Sequence, residues 1–117
     1  MNVIVAGSRG VTDYLQVVEA MANAALFGIV PTCVFSGTAR GVARLAERWA
    51  SERGVLIHYF PADWDTLGKR AGYVRNAQMA DSADALVALW DGDSRGTKHM
   101  IDLASAKGLE VMVFRAG

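Results

Sequence analysis

A single cysteine, Cys33, in 117 residues excludes an intrachain disulfide framework and a multi-cysteine zinc site. It lies in the apolar run Thr32-Cys33-Val34-Phe35 and reads as a small buried hydrophobe rather than a reactive thiol. Histidine is equally scarce: His58 and His99 do not pair as ligands, the acidic residues are scattered, and neither a metal nor a cofactor is expected. Charge of one sign is not in excess, since twelve Lys+Arg balance twelve Asp+Glu. The chain therefore lacks the basic field of a nucleic-acid or anionic-membrane binder, although a focused anion site remains compatible with that balance. No apolar run approaches the roughly 18 residues of a membrane span, and no basic-then-apolar leader opens the chain, so a cytoplasmic protein is expected. Gly-x-x-x-x-Gly-Lys-Ser/Thr is absent, and no Gly-x-Gly-x-x-Gly follows a strand. Both absences argue against a standard P-loop NTPase or dinucleotide dehydrogenase.

What is present is a well-filled hydrophobic chain, 52% apolar and 21% charged, of a length suited to one domain spanning residues 1–117. Strand-like runs at Asn2–Ala6, Thr32–Phe35, Val55–Phe60, Ala85–Trp90 and Leu109–Phe114 alternate with helical segments. The helices are expected from Asp13 to about Phe27, then at Val42–Glu52, Tyr73–Ala83 and Lys98–Ala106. In the first, Leu15, Val18, Ala22, Ala25 and Leu26 form the stripe, with Asp13 or Thr12 as cap. Residues 61–72 show no clear period and read as a loop that folds over the sheet edge. The pattern predicts an α/β, Rossmann-like, three-layer doubly wound parallel sheet of about five strands in the order 3-2-1-4-5.

Three glycine-punctuated turns each follow a strand and open a helix: Gly7-Ser8-Arg9-Gly10, Ser36-Gly37-Thr38-Ala39-Arg40-Gly41, and Asp91-Gly92-Asp93-Ser94-Arg95-Gly96-Thr97. In a parallel sheet all three stand at the carboxyl edge, where such sheets bind ligands. Small residues admit a phosphate to the backbone, the helix N-terminus favours an anion, and each turn holds an arginine. The plain alternative is three ordinary strand-to-helix turns. Thr97 is expected to cap the last helix. Arg75 and Asn76 stand near the start of the third helix, where a guanidinium grips a phosphate bidentately or is simply solvated. His99 reads as a surface residue, His58 as a packed strand residue, and Trp64 as part of a lid or of the surface.

Gly7-Ser8-Arg9, Ser36-Gly37-x-Ala39-Arg40-Gly41, Tyr73-Val74-Arg75-Asn76-x-x-Met79, Ser82-Ala83-Asp84-Ala85-Leu86 and Ser94-x-Gly96-Thr97, in that order, resemble the SLOG superfamily. More narrowly they resemble its small YspA-like, cpYpsA-related branch. The resemblance implies a ligand derived from a nucleotide: ADP-ribose, a cyclic ADP-ribose or a nucleoside monophosphate. It places that ligand on Gly7, Ser8, Arg9, Ser36, Gly37, Thr38, Arg40, Gly41, Arg75, Asn76, Asp91, Gly92, Ser94, Gly96 and Thr97. It also implies an alternative, the LOG-type hydrolase of an N-glycosidic or phosphate bond, in which Arg75 is the catalytic arginine. Three departures weigh toward binding. The LOG glutamate falls on Met100, and the aspartate usual in the second motif falls on Ala43, while Thr38 replaces a glycine. A homo-oligomer, most simply a dimer, is expected because the helices carrying Trp49, Met100 and Leu103 read as wider in apolar surface than one sheet face needs.

Overall fold

The computed structural model describes residues 1–117. Five strands, β1 (Asn2–Gly7), β2 (Cys33–Ser36), β3 (Leu56–Tyr59), β4 (Ala85–Trp90) and β5 (Glu110–Arg115), form one sheet in the order β3-β2-β1-β4-β5. Every neighbouring pair is parallel. Helices α1 (Tyr14–Leu26), α2 (Val42–Glu52), α3 (Trp64–Leu67), α4 (Ala71–Ser82) and α5 (Arg95–Ala106) complete the chain. This is the Rossmann-like α/β sandwich the pattern predicts.

The central strands are apolar on both faces because both faces are covered. Along β4, Ala85, Val87 and Leu89 join the core under α1 and α2, while Leu86 and Ala88 join the core under α4 and α5. β1 divides in the same way, with Val3 and Val5 on one side and Ile4 on the other. Register then sets the site: Gly7, the last residue of β1, pairs with Leu89 near the end of β4. The connection from β1 runs to β2 on one side while β4 lies on the other, so the crevice between them is the topological switch point of the sheet.

Several local expectations are corrected. In α1 the buried residues are Val17, Ala20, Met21 and Ala24; Leu15, Ala22, Ala25 and Leu26 face outward. The helix is apolar on two opposite sides, and the outer stripe is the one the spacing picked out. Residues 61–72 are not a plain loop. They hold α3, capped by Asp63 accepting from the Thr66 amide, a 3-10 turn at Gly68–Arg70, and the start of α4. α5 begins at Arg95, so Gly96 and Thr97 lie in its first turn, and Ser94 rather than Thr97 is the N-cap residue. His58 is exposed on the edge strand β3, though its ring stacks on Phe60 at 4.3 Å. Trp49 and Met100 are buried inside the single chain, so they leave no apolar excess for a partner. Cys33 packs partly buried against the core, and burial raises its thiol pKa.

Candidate functional site

The sheet's carboxyl edge opens into a cleft of about 200 Å³ lined by eighteen residues. It is small against the roughly 300–1,000 Å³ of sites that enclose drug-sized ligands, so a ligand of that size would extend beyond it. Its floor is Val5, Ala6 and Gly7 of β1 with Met79 and Met100, and α2 contributes Gly37, Ala39 and Ala43 at its approach and first turn. The start of α5 contributes Ser94, Gly96 and Thr97. Trp64, Lys69, Gly72 and Tyr73 form the outer wall. α2 and α5 have no side-chain cap at their N-termini, whereas α1, away from the cleft, is capped by Asp13. The two helices aimed at the cleft thus keep free amide donors and the positive end of the dipole there.

Three cations line the cleft, Arg9, Lys69 and Arg75, and no carboxylate does. Arg75 is half-buried. Its Nη1 donates to the Gly37 carbonyl and its Nε donates to Asn76 Oδ1 at 3.2 Å. Burial, then the nearby Arg9, pushes the Arg75 guanidinium below its ordinary value, so two like charges converge with nothing to neutralise them. Asn76, only 6% exposed, donates from Nδ2 to the Gly96 carbonyl at 3.3 Å and lies 3.0 Å from His99 Nδ1.

Of the residues singled out in sequence, Gly7, Arg9, Gly37, Arg75, Asn76, Ser94, Gly96 and Thr97 come together in the cleft. Of the other seven, Ser8, Ser36, Thr38, Gly41, Asp91 and Gly92 stand behind it and shape its turns, and Arg40 does not. Ser8 Oγ accepts from the Asp91 amide at 3.1 Å, tying the first turn to the third. Asp91 Oδ1 accepts from the amides of Asp93 and Ser94, each at 2.8 Å, which pulls its carboxyl below the usual range. Ser36 is fully buried, donating to Glu47 Oε2 at 2.5 Å and accepting from the Thr38 amide. Thr38 holds a left-handed φ of 62°. Gly41, with φ 79°, passes so close to Ser8 that a Cβ would lie 2.5 Å from its carbonyl oxygen. Gly92 lies under the Arg115 guanidinium, and Arg40 is exposed outside the cleft.

Sequence reasoning missed Lys69 and Tyr73 as wall residues and Glu47 as the partner of Ser36. The signal for Lys69 was the basic pair Lys69-Arg70 just before α4. Glu47 stands one helical turn beyond Ala43, which was noticed only for the carboxylate it lacks. Met100 and Ala43, the two positions where the LOG-like carboxylates would fall, do line the cleft.

A parallel sheet with uncapped helix ends and unneutralised cations at its switch point defines a Rossmann-like domain with an anion-suited cleft. The chain belongs to the YspA, cpYpsA-related SLOG family, whose model matches residues 1–66. It is 36% identical over 122 residues to the Gene 61 protein of Mycobacterium phage D29, covering 97% of this chain and 95% of that one. No solved structure matches. Family membership points to a nucleotide-related ligand, bound or processed. The matched residues include the first two turns; Arg75 and the α5 turn lie beyond them. No helix is long and apolar enough to cross a membrane.

Proposed function

We propose that this domain binds a nucleotide-derived ligand of the ADP-ribose, cyclic ADP-ribose or nucleoside monophosphate type without hydrolysing it, as a sensor or sequestering protein. The supporting observation is the cleft's charge: Arg9, Lys69 and Arg75 without one lining carboxylate, in a chain of zero formal net charge. A phosphate entering there neutralises a repulsion the free protein carries. The LOG-like alternative asks for a carboxylate to steady an oxocarbenium ion or move a proton. The cleft offers methionine and alanine at those positions, and Asp91 is turned into its own loop. Calorimetry with a panel of these ligands tests the reading. Binding with the ligand recovered intact by chromatography supports it; no heat at high micromolar protein overturns it, and product formation abolished in Arg75→Ala favours the hydrolase.

The proposal includes a homodimer, carried by α1 rather than by α2 or α5. Leu15, Ala22 and Leu26 fall within about 40° of one another around the helix, about 180° from the buried stripe. Leu26 is 82% exposed, and Phe27 and Val30 extend the patch at 71% and 59%. No charged residue stands between Glu19 and Arg40, so from Ala22 onward the face is uncharged, and Glu19 beside Leu15 falls at its rim. A two-fold axis brings the same patch to itself, which a self-complementary apolar stripe suits.

A further inference from the structure

The hydrogen bonds around Asn76 fix more than its own position. Arg75 Nε–H only donates, so the Asn76 atom facing it at 3.2 Å is the carbonyl oxygen. The Gly96 carbonyl only accepts, so the atom facing it at 3.3 Å is the amide nitrogen. Both partners give the same orientation for the side-chain amide. The same Nδ2 therefore presents its remaining N–H to His99 Nδ1 at 3.0 Å, and that nitrogen must be the unprotonated acceptor. The network closes only with neutral His99 carrying its proton on Nε2. A protonated Nδ1 would set N–H against N–H. Flipping the Asn76 amide would then face NH2 against Arg75 Nε–H and oxygen against the Gly96 carbonyl.

From this geometry we infer that His99 is a positioning residue for the cleft: neutral His99 holds Asn76, Asn76 holds the Arg75 guanidinium, and protonation of His99 loosens the anion site. The inference rests on the proposed anion binding by Arg75. His99 does not itself line the cleft, and the Tyr73 ring and its imidazole pack in a T-shape with centroids 4.6 Å apart. The charged and titratable groups around it are few. On α5 these are Arg95, one turn before His99, and Asp102 and Lys98, which pair with each other at 2.7 Å. On α4 they are Tyr73 and Arg75, with Asp81 paired away to Lys107. β4 has no titratable side chain, and on β5 Glu110 pairs with Ala85 at the far end while Arg115 covers Gly92. Burial lowers the His99 pKa and Asp102 opposes it, the net direction being down from 6.5. The neutral form is thus the one present at pH 7, and the loss falls below the ordinary histidine range.

Sulfate is the probe, because it stays a dianion from pH 5 to 8 and any pH dependence belongs to the protein. Its titration is followed by amide and imidazole chemical shifts in the wild-type chain. The expected result is the Nε2–H tautomer at pH 7.5 and sulfate affinity about two- to tenfold weaker at pH 5.5 than at 7.5. His99→Asn, which restores an acceptor near the Nδ1 position, should rescue affinity and flatten the pH profile. His99→Leu, which leaves the Asn76 N–H unpaired, should flatten the profile at the weaker value. An Nδ1–H tautomer, or an affinity that is flat or rises toward acid in the wild type, overturns the inference. Absence of sulfate shifts at Gly37, Arg75 and Gly96 at every pH would instead overturn the anion-binding reading itself.

Discussion

Arg75 carries the most weight of any single residue, because its guanidinium joins the second turn, Asn76 and the open cleft. Arg75→Ala should weaken ligand binding by about 2–5 kcal/mol, the usual loss on truncating a desolvated charged donor. Calorimetry on a variant with an unchanged melting curve checks this, and wild-type affinity would refute it. Gly37→Val tests the same contact from the other side. A Cβ there would sit 2.5 Å from Arg75 Nη1, so the guanidinium must move and affinity must fall. Gly96→Val differs, since nothing lies within 4 Å of that position. Its fold should be kept and any loss of affinity assigned to blocked access to the α5 amides. Thr38 makes a separate prediction. A β-branched residue at φ 62° is strained, and glycine relieves that strain at some cost in unfolded-state entropy. Thr38→Gly should raise stability by about 0.5–1 kcal/mol in urea unfolding.

At the scale of elements, the turn into α5 depends on one carboxylate. Asp91 accepts two backbone amides in place of a side-chain cap, so its pKa is depressed in the folded state. The stability it contributes is therefore present above the unfolded value, near 3.9, and is lost as pH falls through the lower folded value. Protection of the Asp93 and Ser94 amides, relative to their intrinsic exchange rates, should fall below about pH 4. Unchanged protection there, or equal protection in Asp91→Asn, would show that the bonds do not hold the turn. α1 illustrates the limit of periodicity: both of its faces are apolar, and spacing alone does not say which one the sheet takes. The segment at 61–72 was opaque for a different reason, since short helices built around two glycines have too few turns to show a period.

At the scale of the whole molecule, the prediction is association through α1. Light scattering during size-exclusion chromatography should give twice the 12.5 kDa chain mass at about 100 μM, and Leu26→Glu should return it to one chain. A wild-type mass of one chain would leave the outer stripe of α1 without a partner copy. Neutral net charge is compatible with such pairing, because no long-range repulsion keeps two copies apart.

Sequence alone determined the strand and helix alternation, the all-parallel sheet and the order of its strands. Those follow from local patterns: β4 reads as a continuous apolar run because a central parallel strand is covered on both sides. It also determined that the three turns share one edge, and it marked eight of the cleft's residues as ligand-facing. Tertiary structure decided which turn residues face the cleft and which brace it. Ser8 and Ser36 have the chemistry of ligand contacts, but their hydroxyls are spent on Asp91 and Glu47, residues 83 and 11 positions away. It also brought Lys69 to the wall and His99 to Asn76, since those contacts join separate elements packed across space. Spacing records what a residue can do; only packing decides which partner reaches it first.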